Sequence, residues 1–188
     1  MLAVIGIALN GLALILEVVG VIIPYWFIWS TSVHGLTASI KFGLWKCCTE
    51  VPLLDSECTS LEDIIHPISN QIRVTRGLEI LSVLTTAMAG ALAFLRVVTR
   101  KDNRRFVLAA GINAGIAGLL AIVGAVVFAV DNQVEKYLEE HAFKGQTNLK
   151  LHSGFGLCIV SGILSFITAV LYILAFCSKS NIVHSIGT

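Results

Sequence analysis

Cys47, Cys48 and Cys58 are the residues of this chain whose type and spacing point most directly to covalent chemistry. Cys58 follows Cys48 by ten positions. Closing a loop of about 11 residues with a disulfide contributes roughly 3 kcal/mol in the chain-entropy model. Either Cys47 or Cys48 could be the partner; in a strand the two point to opposite faces, so only one pairing fits. Cys158 and Cys177 fall in or at the end of a long apolar run and read as membrane-facing thiols. Cys177, close to Lys179, is a candidate for palmitoylation.

The carboxylates fall into two groups. Glu50, Asp55 and Glu57 stand in or beside the stretch closed by the cysteines, and their plainest reading is an ordinary solvated acidic turn. Glu17 interrupts an apolar run, and Glu79 flanks another. A carboxylate in mid-membrane costs roughly 2.5–3.5 kcal/mol on insertion scales. Glu17 must therefore face other helices, be neutralised, or sit near an interface. A protonated or hydrogen-bonded contact between helices is the simplest role.

Other chemistry is missing from the sequence. His34, His66, His141, His152 and His184 have no ligand spacing with cysteines or carboxylates, so no metal is expected. No glycine-rich phosphate loop and no nucleophile elbow occurs, and no cofactor is expected. An enzyme is not the reading this inventory supports. With a net charge of +1 there is no basic field for nucleic acid.

The elements that carry these residues are set by hydropathy. Of 188 residues, 56% are hydrophobic and 13% charged, against about 25% charged in a soluble domain. Mean hydropathy is +0.85. Four apolar runs, at 2–23, 78–98, 106–130 and 151–176, each reach the roughly 20 residues that cross a bilayer core. The first lacks a basic leader and carries Glu17, so it reads as a span rather than a cleaved signal peptide. Arg96 near the end of the second run, and Arg100, Lys101, Arg104 and Arg105 between it and the third, are opposed only by Asp102. Positive charge in a short loop marks the cytoplasmic side, which places both termini in the cytoplasm and 25–77 and 131–150 outside. The expected layout is one tetraspan domain over 1–188: spans at 2–24, 78–98, 106–130 and 151–177, outer loops 25–77 and 131–150, a cytoplasmic loop 99–105 and a tail 178–188.

Within the first outer loop, Ile40, Phe42 and Leu44 alternate with Lys41 and Gly43, the period of a half-buried strand. Val33, Leu36 and Thr37 hint at a strand before it. So small an antiparallel sheet has little core of its own and needs a staple. Tyr25, Trp26 and Trp29, after Pro24, read as an interfacial aromatic belt. Leu61 to Ile65 reads as a helical turn with a polar start, stopped by Pro67, and Arg76 as a snorkelling anchor at the mouth of the second span. In the second outer loop, Asp131 to Gln133 could cap a helical extension of the third run or a short helix through Glu140. Gly111 and Gly115 form a small-xxx-small face suited to close helix packing.

Taken together, Pro24 and Trp26, Gly43-Leu44-Trp45, Cys48, Cys58 and Arg76 resemble the signature of the claudin superfamily, which also holds epithelial-membrane and peripheral-myelin proteins and calcium-channel gamma subunits. The four-span layout matches that family over the whole chain. The resemblance implies an all-α membrane fold: a left-handed four-helix bundle carrying a small extracellular antiparallel sheet from the first outer loop. It implies that Cys48, rather than Cys47, bonds Cys58, and that Trp26 with Gly43, Leu44 and Trp45 anchors the sheet at the membrane surface.

By the same resemblance the chain is expected in the plasma membrane at cell–cell junctions, among membrane lipids. There it would assemble with claudin-like chains in cis and possibly in trans, as an adhesion and barrier protein or an ion pathway between cells. Tyr137 and Phe143 are the candidates for trans contact. In a pore, Glu50, Asp55 and Glu57 would favour cations. An auxiliary subunit bound to an ion channel or receptor in the same membrane is the alternative. The sequence departs from the family pattern in three places. The second loop lacks a Phe-Tyr-Asn-Pro-like turn, the end Ser185-Ile186-Gly187-Thr188 argues against a PDZ scaffold, and Cys47 is an extra thiol. These mark a divergent claudin-like member.

Overall fold

The computed structural model describes residues 2–33, 36–50, 56–99, 104–131 and 149–186. Its elements follow in chain order as α1 (Leu2–Ile22), β1 (Phe27–Val33), β2 (Leu36–Phe42), β3 (Lys46–Glu50), β4 (Glu57–Ser60), α2 (Leu61–Ile64), α3 (Asn70–Thr99), α4 (Arg104–Ala129), β5 (Leu149–Leu151) and α5 (Ser153–Ile186). Among the described residues, four helices (α1, α3, α4 and α5) are long and apolar enough to cross a membrane. The 21 residues of α1 span about 32 Å at 1.5 Å per residue, matching the hydrocarbon core. Pro24 stops α1, because proline disfavours the helical conformation in the residue before it.

The four long helices form a ring. α1 packs on α3 and α5, α4 packs on the same two, and α1 and α4 touch only slightly across the diagonal. Their faces are sorted by size and polarity rather than by hydrophobicity. Ala110, Ala114, Ala117, Ala121 and Ala125 line the buried side of α4, while Ile112, Ile116, Leu119, Val123 and Val126 face outward. In lipid the outside is as apolar as any core, so helices associate through small residues that admit close backbones and through buried hydroxyls. Gly118 and Gly162 show the first device. A Cβ added to Gly118 would stand 2.7 Å from the Gly162 carbonyl oxygen.

The sheet is five-stranded, in the order β4-β3-β2-β1-β5, with every pair antiparallel. The sequence led to a sheet from the first outer loop alone; the structure adds β5, which precedes α5. Leu149 pairs with Trp29 and Leu151 with Phe27, so β5 covers what would otherwise be the open edge of β1. Three residues are too few for a period-two pattern to declare itself.

α3 begins at Asn70, inside the stretch assigned from sequence to the first outer loop. Ser69 Oγ accepts from the Ile72 amide at 3.1 Å and caps the helix. Ile72, Thr75 and Glu79 lie on its buried side, while Arg73 and Arg76 break the hydropathy of its first turns.

One apolar cluster joins the two layers. Trp26, Phe27, Trp29, Phe42, Leu44 and Cys47 from the sheet side pack with Val21, Ile72, Ala125, Phe128 and Cys158 from the ends of the helices. Trp26 and Trp29 are accordingly no belt in the headgroups, whereas Tyr25 is half-buried beside Lys41 and His152. Trp26 is fully buried and Trp29 nearly so, because the chain turns into β1 directly after α1 and folds these rings under the sheet.

Candidate functional site: the stapled sheet and its anchors

Trp26 is the point where sheet and bundle meet. Its indole Nε1 donates to the Gly20 carbonyl of α1 at 2.7 Å, and its amide donates to Phe42 O of β2 at 2.8 Å. Its own carbonyl accepts from the His152 amide at 2.9 Å, and Gly154 N donates to Tyr25 O at 2.8 Å, which ties in α5. The ring meets Phe128 of α4 edge-on at 4.7 Å between centroids. Buried indole N–H groups need such a partner.

The Gly43-Leu44-Trp45 turn lies against this anchor. Gly43 N donates to Lys46 O at 2.9 Å, closing the turn between β2 and β3. A Cβ on Gly43 would stand 2.6 Å from the Pro24 Cα, so only glycine lets the two backbones approach this closely. Leu44 is fully buried. Trp45, 38% exposed, carries the Arg76 guanidinium over its ring at 4.7 Å. Arg76 Nε donates to Leu44 O at 2.8 Å, and its Nη1 pairs with Glu62 Oε1 at 2.7 Å. Arg76 is thus more than a snorkelling side chain: from α3 it holds both the turn and α2. Only a planar fork can stack on a ring and donate to two acceptors at once. Leu61 N donates to Trp45 O at 2.9 Å, a second link between the turn and α2.

The cysteines settle on one pairing. Cys48 and Cys58 face each other across β3 and β4 and are joined by a disulfide, while Cys47 lies opposite Thr59. Cys47 points the other way, into the apolar cluster, and burial pushes its thiol up to about 11. The thiolate is the reactive form, and here it is suppressed. Cys47 is therefore expected to resist maleimide in the native chain at pH 7 to 8 and to label fully after denaturation. Labelling of native Cys47 at the rate of a free thiol would contradict its placement.

The acidic residues do not act as a group of free charges. Glu50 is paired with Lys41 across β2 and β3, and the Lys41 ammonium sits over the Tyr25 ring at 4.8 Å. Burial alone would lower the pKa of Lys41, but the hydrogen bond and charge of Glu50, together with Tyr25, outweigh it and hold the ammonium above its ordinary value. Glu57 is exposed on β4. Asp55, Tyr137 and Phe143, and the stretch 132–140 read as a helical extension, lie outside the described residues. Cys177 is exposed near the far end of α5 from the sheet. Cys158, expected to face the membrane, is instead fully buried. Sequence reasoning missed the links made by Phe128, Glu62 and Gly154, whose partners become neighbours only in the fold.

Among the described residues, no group of three or more His, Cys, Asp or Glu side chains is placed to hold a metal. The arrangement is a stiff, stapled surface mounted on a membrane bundle. Comparison with known proteins agrees with this architecture. Claudin-23 of Mus musculus is 28% identical over 121 residues, covering 63% of this chain and 41% of that protein, so the match spans about two fifths of the relative's length. The model of the PMP-22/EMP/MP20/Claudin family matches residues 1–174, nearly the whole chain. The stapled sheet, its Trp26 anchor and the four spans are therefore those of a member of the PMP-22/EMP/MP20/Claudin family.

Proposed function

We propose that this chain is a claudin-like junction protein of the plasma membrane. It contributes to cell–cell adhesion and to the barrier or ion pathway between cells by assembling with like chains in cis and trans. The observation that carries this reading is the disulfide-stapled sheet locked to the bundle through Trp26 and Arg76. A surface meant for side-by-side and face-to-face assembly gains from being held in one orientation, since preorganisation lowers the entropic cost of association. The basic loop between α3 and α4 supports a cytoplasmic placement for that end and for both termini. The disulfide supports an outside placement for the sheet, and Cys177 then sits at the cytoplasmic edge, where palmitoylation occurs. With Glu50 paired to Lys41, Glu57 is the described acidic residue of this stretch left open to a passing cation.

The reading is tested by mixing two differently tagged populations of junction-free cells that express the chain. Enrichment at contacts only where both neighbours express it, with a rise or ion-selective change in transepithelial resistance, is the expected result. Uniform surface labelling regardless of the neighbour would remove trans adhesion. The auxiliary-subunit reading, motivated by the departure in the second loop, would then be pursued by purification with a channel or receptor partner.

A further inference from the structure

The interior of the bundle contains two fully buried carboxyl side chains, Glu17 on α1 and Glu79 on α3. Glu79, taken from sequence as a flanking residue, lies about two and a half turns into its helix. The two are close enough to interact electrostatically, and the Cys158 thiol of α5 adjoins Glu79. On α4 the neighbour is the backbone of Gly124, where an added Cβ would come within 2.7 Å of Glu79 Oε1. That missing side chain is what makes room for the carboxyl. Gly124 O is already engaged at 3.2 Å by the Thr75 hydroxyl, and Ser82 Oγ donates to Ala117 O at 2.9 Å. No cationic side chain pairs with either carboxyl among the described residues.

Hydrogen-bond arithmetic bears on the state of Glu17. Its Oε2 is 3.2 Å from Thr86 Oγ1 and 3.2 Å from Ser161 Oγ. A serine hydroxyl has one proton, and Ser161 gives its proton to the Ala13 carbonyl at 2.8 Å. The Ser161 contact with Oε2 is then a full hydrogen bond only when the carboxyl itself carries a proton and donates it. Among the described residues, no hydroxyl or amide donates to Glu17 Oε1 or to either oxygen of Glu79, and the donor beside Glu79 is the weak Cys158 thiol. An ionised Glu79 would be an unpaired charge in hydrocarbon beside a second carboxyl, which is the most costly arrangement for both.

We propose that Glu17 and Glu79 form a proton-binding site inside the bundle, each carrying a proton at neutral pH. Glu17 is the acid fixed between Thr86 and Ser161. Glu79, cradled by Gly124, is the acid whose ionised form no hydroxyl donor would support. The groups facing the pair are Cys158 on α5, the hydroxyls of Thr86 and Ser82 on α3 and Ser161 on α5, and the Gly124 backbone on α4. Proton binding, rather than metal binding, fits a site whose two carboxyls have no third acidic or imidazole ligand among the described residues. The junctional reading neither requires this site nor depends on it.

Infrared spectroscopy of the full chain in zwitterionic lipid nanodiscs, with glutamate carboxyls labelled by carbon-13, tests the proposal. Water-exposed glutamates are ionised at pH 7, so a protonated-acid carbonyl band there reports the buried pair. The expected band is present in the natural chain, falls by about half in Glu17→Gln and in Glu79→Gln, and vanishes in the double variant, each mutation removing one of two acids. It is unchanged when sodium replaces potassium or when either salt is raised. Absence of the band, or its persistence at full strength in Glu79→Gln, overturns the proposal. Bleaching of the band by added sodium or potassium also overturns it, because an alkali cation would then hold ionised carboxylates. The presence and salt response of the band in the natural chain decide the matter even where a glutamine variant fails to fold.

Discussion

Trp26→Ala is expected to destabilise the chain by about 3–5 kcal/mol, the range for removing a large aromatic from a packed core, and to free the sheet from the bundle. Two losses add together here. The cavity opens in the cluster that Phe128, Phe42 and Leu44 share with the helix ends, and the Gly20 carbonyl loses its indole donor. Trp45→Ala is the matched control. Its ring is partly exposed and stacks on Arg76, so it should cost only about 0.5–1 kcal/mol. Thermal unfolding of both variants in the same detergent compares them. Equal losses for the two tryptophans would refute the view that Trp26 joins the layers.

Cys58→Ser ranks second. Removing the disulfide should lower the stability of the sheet by about 3 kcal/mol, by releasing an 11-residue loop into the unfolded ensemble. The effect should stay local. β4 is the edge strand and meets only β3 within the sheet, so its separation exposes α2 and the Arg76–Glu62 pair without disturbing α1, α3, α4 or α5. Limited proteolysis is expected to cut at β4 while the helical circular dichroism stays at the level of the natural chain. Cys48→Ser should behave in the same way despite the thiol next to it, since Cys47 faces the opposite side of the strand. Unchanged protease resistance in either variant would count against the staple.

Much of this architecture could be read from the residues. The spans follow from uninterrupted hydropathy, and β2 from the alternation of Ile40 and Phe42 with Lys41. Strand alternation alone left Cys47 and Cys48 open, because the choice depends on which face of β3 meets the bundle; the family resemblance pointed to Cys48, the residue that bonds Cys58. β5 was out of reach for a related reason: three residues acquire meaning only beside Phe27–Trp29. The first turns of α3 were hidden by Arg73 and Arg76, which lower the hydropathy of a segment whose helical face is Ile72, Thr75 and Glu79. Glu79 and Cys158 were misplaced because, in a bundle with an apolar exterior, polarity marks the inside. One-dimensional hydropathy treats such residues as interruptions, whereas the fold collects them.

The sheet stands on three legs. Trp26 fixes it to α1, Arg76 to α3, and the paired amides of His152 and Gly154 to α5. A platform held at three points that are not in line has no axis left about which to swing. The heading of the strands in the plane of the membrane is therefore the heading of the helices beneath them. A single orientational probe on β2 would report the rotation of the whole chain about the membrane normal, and neighbouring chains that align their sheets must also align their bundles.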